Sequence, residues 1–103
     1  MQLLVVDNDP VFLRIMEKLL KREGHDVITA HDGLSAIDIL KNNSPDFIFI
    51  DYVMPNIDGG VLCKILKSDG NLSNTFVVIL SAVAAEEWKE VGKCAADAYL
   101  AKT

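Results

Sequence analysis

The sequence predicts a single doubly wound α/β domain built on a parallel sheet. Three observations predict it. Short apolar or β-branched runs at residues 3–6, 27–29, 47–50, 76–80 and 98–101 alternate with longer stretches of helical period. The runs at 3–6, 47–50 and 76–80 do not alternate with polar residues, the pattern of strands covered on both faces. The connections are short, and right-handed crossovers turn a βαβαβαβαβ order into an open sheet with helices on each side.

The first helix follows Asp9-Pro10, an acidic N-cap and a proline at the first helical position. Phe12, Ile15, Met16 and Leu19 recur at i, i+3, i+4 and i+7, which predicts the inward stripe, and Gly24 supplies a left-handed residue at the end. A second helix is predicted over 34–42, with Ala36, Ile37 and Leu40 inward and Pro45 as its stop. A third starts after Asp58 as N-cap and turns Val61, Leu62, Ile65 and Leu66 inward. A fourth covers about residues 84–94, with Ala84, Trp88, Val91 and Ala95 on one stripe. The fifth run is followed only by Lys102-Thr103 and no helical pattern, so one sheet face is expected to lack part of its cover.

Composition narrows the function classes. With 103 residues, 50% hydrophobic and 24% charged, the chain has the profile of a globule and not of a disordered segment. No apolar run approaches the roughly 20 residues of a spanning helix. The amino terminus shows neither a basic n-region nor a cleavage site, so the expected location is the cytoplasm. A net charge of −5 repels phosphate backbones and argues against direct nucleic-acid binding by this chain. Cys63 and Cys94 lack CxxC spacing and read as buried reduced thiols. His25 and His31 fall in turns and read as exposed.

Ligand crevices in open α/β sheets lie beyond the carboxyl ends of the strands. Four runs end in polar residues there: Asp7-Asn8-Asp9, Asp51, Ser81 and Lys102. Carboxyl and carboxamide oxygens gathered on one rim favour a hard divalent cation such as Mg²⁺. A hydroxyl and an ammonium beside it complete a cradle for a phosphoryl group, and a central carboxylate can act as nucleophile, which selects Asp51.

These residues resemble the receiver domain of two-component response regulators. The resemblance spans residues 2–102. Its most specific piece is Asp51-Tyr52-Val53-Met54-Pro55-Asn56-Ile57-Asp58-Gly59, similar to the family's phosphoacceptor loop. Leu4-Val5-Val6-Asp7, Leu80-Ser81-Ala82 and Ala98-Tyr99-Leu100-Ala101-Lys102 match its first strand, switch hydroxyl and last strand. The resemblance implies a flavodoxin-like five-stranded sheet in the order 2-1-3-4-5, here a single receiver domain over 1–103 without its last helix. It implies that Asp51 accepts a phosphoryl group from a histidine kinase or phosphotransfer protein. Asp7, Asn8, Asp51 and the Val53 carbonyl would surround Mg²⁺, or Mn²⁺ in its place. Ser81, Tyr99 and Lys102 would respond to the phosphoryl group, and the domain would catalyse only its own phosphorylation and dephosphorylation. Val53 and Val83 stand where the family lines the path of the hydrolytic water, and neither can orient a water, so slow self-dephosphorylation is expected.

Departures from the family pattern carry expectations too. Asn8 replaces the usual second acid, which predicts weaker metal binding. Asp9 reads as a helix cap and not as a replacement ligand. Ala95 stands in place of a glycine. Thr103 stands in place of a proline whose bond is typically cis; that geometry would cost about 3 kcal/mol before threonine, a departure that bears on the pose of Lys102. An uncovered apolar face suggests a homodimer. A rival resemblance remains: residues 3–11 are similar to the first motif of haloacid-dehalogenase-type phosphatases, with Asp7 as nucleophile, Asp9 as acid/base and Ser81 in a second motif. No cap insertion or later acidic pair accompanies it. A receiver that is never phosphorylated and works only by docking is the third reading.

Overall fold

The computed structural model describes residues 1–54, 57–72, 74–81 and 96–101. Their order is β1 (Gln2–Val6), α1 (Pro10–Arg22), β2 (Asp26–Ala30), α2 (Gly33–Leu40), β3 (Phe47–Asp51), α3 (Gly59–Ser68), a 3₁₀ turn (Gly70–Leu72), β4 (Phe76–Ser81) and β5 (Ala98–Ala101). Every strand pairs in parallel, in the order β2-β1-β3-β4-β5. The order and direction match the expected flavodoxin-like sheet, and each strand lies within one residue of its expected bounds. The expected fourth helix over about residues 84–94, with Ala84, Trp88, Val91 and Cys94, lies outside the described residues, as do Pro55, Asn56, Val83, Ala95, Lys102 and Thr103.

The period-two geometry of the strands sorts their side chains between two faces. Leu4, Val6, Ile48, Ile50, Val77 and Ile79 meet Ala36 of α2 and Leu62, Cys63 and Leu66 of α3 in the main core. On the other face, Leu3, Phe47 and Phe49 line an open cleft with Met1, His25 and Leu20 of α1. Phe47 packs there against Phe76, with ring centroids 5.1 Å apart.

The helix ends agree with the sequence, but the inward stripes need correction. Asp9 caps α1 by accepting from the Val11 and Phe12 amides, and Gly24 has φ +93°. Leu13 is the buried residue of α1, whereas Ile15 and Leu19 remain 51% and 49% exposed. The apolar arc of this helix runs over about 160° from Ile15 round to Leu13, and the sheet covers only the Leu13–Leu20 edge of it. The same happens in α3, where Leu62, Cys63 and Leu66 are buried and Val61 and Ile65 are exposed. Helix α2 starts one residue early because Asp32 caps it, accepting from the Ser35 amide at 2.7 Å. Cys63 is buried and outside any disulfide, as expected. His31 is exposed, but His25 is half-buried, and its Nδ1 is enclosed without a hydrogen-bond partner. The turn after Gly24 folds its ring into the apolar cleft.

The amino ends of the strands are tied together. Asp46 joins β1 and β4 through Gln2 and Phe76, Asp26 bonds Met1, and Asp97 bonds Val77. The opposite rim is left for chemistry.

Candidate functional site at the carboxyl rim of the sheet

Register brings the predicted acids together. Val6 pairs with Ile50, so Asp7 and Asp51 follow in line on adjacent strands, whose axes run about 4.8 Å apart. Ile50 pairs with Ile79 and Asp51 with Leu80, which puts Ser81 one step beyond Asp51 on the next strand. Ser81 pairs in turn with Ala101 of β5. Three polar residues thus close the apolar strands β1, β3 and β4. All are buried: Asp7 is 0% exposed, Ser81 2% and Asp51 7%. Three buried polar residues brought side by side at the carboxyl ends of adjacent parallel strands make this rim the candidate site.

Local hydrogen bonds shape the β1 end. The Asp7 amide donates to the Ala30 carbonyl at 3.1 Å, and the Asp9 amide donates to Asp7 Oδ1 at 2.9 Å. This short turn leaves Asn8 exposed at the rim and sends Asp9 away to the α1 cap. A carboxylate engaged with two helix amides is poorly placed for acid/base work, so the geometry favours the cap reading of Asp9.

The loop after Asp51 is held by its glycines. The Tyr52 amide donates to the Leu80 carbonyl at 2.9 Å, and the Gly59 amide donates to the Tyr52 carbonyl at 2.8 Å. A Cβ on Gly59 would lie 2.6 Å from the Asp51 carbonyl oxygen and 2.7 Å from Tyr52 Cα. Only glycine lets α3 begin against the backbone of the candidate nucleophile. Asp58 caps that helix through the Val61 amide, and Met54 turns into the core at 8% exposure. Val53 is 64% exposed beside the rim. The Asp-Gly signal and the methionine of the Met-Pro signal therefore have structural causes, in the Asp58 cap, the tight fit at Gly59 and the burial of Met54.

Tyr99 on β5 is half-buried against the core, and its hydroxyl accepts from the Ala96 amide at 3.2 Å. Lys102, the expected cation of the site, lies outside the described residues. Among the described residues no trio of His, Cys, Asp or Glu forms a metal centre. The donor set on offer is two carboxylates, the Asn8 carboxamide and backbone carbonyls. This all-oxygen set fits a hard, partly hydrated Mg²⁺ and not a soft transition metal.

Two arrangements were not foreseen. At the end of β2, His31 Nδ1 lies 3.2 Å from Asp32 and its Nε2 lies 3.2 Å from the Ser35 hydroxyl. The Ser35 amide and hydroxyl, outweighing slight burial and aided by His31, hold the Asp32 carboxyl below the usual range. The spacing Asp32-x-x-Ser35 was a cap signal available in the sequence. At the amino rim, Lys67 and Asp97 pair at 2.6 Å across 30 residues, a contact with no local sequence signal.

Comparisons with known proteins agree with this architecture. A family model described as the response regulator receiver domain matches residues 3–103. Protein PilG of Pseudomonas aeruginosa is 35% identical over 103 residues, 99% of this chain and 76% of its own length. A gliding motility regulatory protein of Myxococcus xanthus is 40% identical over 99% of this chain, which spans only 13% of that protein. The chain spans 44% of the response regulator MprA of Mycobacterium avium, at 34% identity. Among solved structures, the receiver domain of the Francisella response regulator 1452 superposes with a TM-score of 0.87 at 36% identity, covering 98% of this chain and 83% of that one. A response regulator of Burkholderia pseudomallei, solved with a phosphorylated aspartic acid, calcium ion and citrate, gives 0.87 at 27% identity, covering 98% and 59%. With its strand order, its rim of acids and the match along almost its entire length, the chain belongs to the response regulator receiver domain family.

Proposed function

We propose that Asp51 is the phosphoacceptor of this receiver and that a histidine kinase or phosphotransfer protein is its donor. The observation that carries the reading is the buried Asp51 carboxylate at the tip of the central strand, flanked in register by Asp7 and Ser81. An Asp51 carboxylate oxygen attacks phosphorus, the bond from phosphorus to the donor's imidazole nitrogen breaks, and the imidazole leaves with its electron pair and takes up a proton. The product on this chain is an acyl phosphate. Asp7, Asn8, Asp51 and the Val53 carbonyl would hold Mg²⁺, which supplies charge neutralisation of the phosphoryl oxygens when bound. Ser81 donates a hydrogen bond to the transferred group, Lys102 supplies a point charge, and Tyr99 follows the movement of Ser81. The Burkholderia response regulator, solved with a phosphorylated aspartic acid and a calcium ion, supports a phosphoacceptor aspartate and a divalent cation in a chain similar to this one.

On this reading the chain, one receiver unit over its 103 residues, catalyses only its own phosphorylation and dephosphorylation and works in the cytoplasm. No described helix is long and apolar enough to cross a membrane. The exposed Val11, Ile15 and Leu19 of α1 and the adjoining cleft support self-association through that face. The acidic balance supports protein partners over nucleic acid.

The test is phosphoryl uptake from acetyl phosphate in Mg²⁺. The wild-type chain takes up label, while Asp51→Asn takes up none and Asp7→Asn is slowed by about 10²-fold or more. Undiminished uptake by Asp51→Asn would overturn the assignment.

A further inference from the structure

We propose that Asp97 is a positioning residue for the phosphoryl site: its carboxylate fixes the register in which β5 runs beside β4. This rests on the assignment of Asp51 and Ser81 above and goes beyond it.

Strand β5 needs such a device. It is an edge strand, only four residues long, and among the described residues it pairs on one side alone. Leu100 and Ala101 are exposed, so burial does little to hold its far end. Side chains alternate with period two, so a slip of one residue shifts the strand by about 3.3 Å and turns every side chain to the opposite face. Tyr99 would leave the core, and the chain leading to residue 102 would move relative to Ser81.

The clamp sits just before the strand begins. The Asp97 amide donates to the Val77 carbonyl at 2.9 Å, and the Val77 amide donates to Asp97 Oδ2 at 2.8 Å. Residue 97 thus engages both polar groups of Val77, which admits one register only. The same Oδ2 receives the Lys67 ammonium at 2.6 Å. That ammonium also donates to the Thr75 carbonyl at 3.0 Å, and the Thr75 hydroxyl donates to the Pro45 carbonyl at 3.0 Å. The end of α3 and the starts of β3, β4 and β5 are therefore joined through one carboxylate. The pair is partly shielded, with side chains 20% and 34% exposed, so it is stronger than an open surface ion pair. Register set here is carried up a strand whose next pairs are Val78 with Ala98, Ile79 with Tyr99 and Ser81 with Ala101. The clamp joins β4 to β5, and β3 stands between them and β1, which Asp7 and Asn8 follow, so it bears on the Ser81 side of the site more than on the Asp7 and Asn8 side.

The experiment compares wild type with Asp97→Ala, Asp97→Asn and Ile37→Ala at a temperature where circular dichroism shows each folded. Ile37→Ala trims α2 packing away from β5 and controls for a general loss of stability. Uptake of phosphoryl label from acetyl phosphate and Mg²⁺ affinity by calorimetry are read on each. Asp97→Ala slows uptake by at least about fivefold, with Mg²⁺ affinity within about twofold of wild type. Asp97→Asn, which keeps an acceptor for Val77 but not the charge for Lys67, falls between, and Ile37→Ala labels normally. Equal uptake by Asp97→Ala and wild type overturns the positioning role and leaves the Asp51 assignment standing. So does a slowing matched by Ile37→Ala. A wild-type chain that takes up no label overturns both.

Discussion

Asn8 holds the rim position where a second carboxylate would raise the local negative charge. Its carboxamide can offer an oxygen but no charge, so Asn8→Asp is expected to tighten Mg²⁺ binding by about three- to tenfold in a calorimetric titration. No gain would show that Asn8 lies outside the ligand set. Val53 is exposed beside Asp51 and cannot orient a water, so the acyl phosphate should outlast seconds in a label-decay assay. Gly59 is where a single methyl group matters most. Gly59→Ala pushes a Cβ into the Asp51 and Tyr52 backbone and is expected to cost about 1–3 kcal/mol in denaturant unfolding and to suppress labelling. Gly70→Ala, with open space around its Cβ, is expected to do neither. At this scale the site was legible because each of its acids directly follows an apolar run. The ammonium of Lys67 was not, since its partner lies 30 residues away and no periodicity joins them.

Among the elements, the helices show what a sequence pattern can and cannot say. Caps are local, and Asp9, Asp58 and Gly24 announce themselves; Asp9→Ala should cost about 1 kcal/mol in thermal unfolding. Burial is not local. The periodicity of α1 marks a wide apolar arc, and only the placement of the sheet decides that Leu13 is covered while Ile15 is not. Strand β5 depends on the Asp97 clamp, and this gives a pH dependence. Burial pushes the Asp97 carboxyl up, but the Lys67 hydrogen bond, the Val77 amide and the Lys67 charge outweigh it and hold the group below its usual value of 3.8. A carboxyl lowered in the folded state stabilises fully above its unfolded value and loses that contribution as pH falls through the folded one. The gap in melting temperature between wild type and Asp97→Asn should therefore be constant above about pH 5 and shrink below about pH 4. A gap independent of pH would remove the charge from the account.

The molecule as a whole is polarised. Its amino rim is stitched by Asp46, Asp26, Lys67 and Asp97, and its carboxyl rim carries buried acids and a hydroxyl. That division follows from a parallel sheet, which places every strand's carboxyl end on one side, and it was readable from the order of apolar runs alone. The open face of α1 was expected only in outline, because it depends on what the chain leaves uncovered and not on any motif. Light scattering is expected to show mass rising with concentration, and Ile15→Lys is expected to return the monomer. The central claim concerns where phosphorus goes. Reaction with acetyl phosphate and Mg²⁺, reduction of the acyl phosphate with borohydride and peptide mapping by mass spectrometry test it most directly. The account predicts modification at Asp51 alone; modification at Asp7 with steady turnover, or no modified peptide, would contradict it.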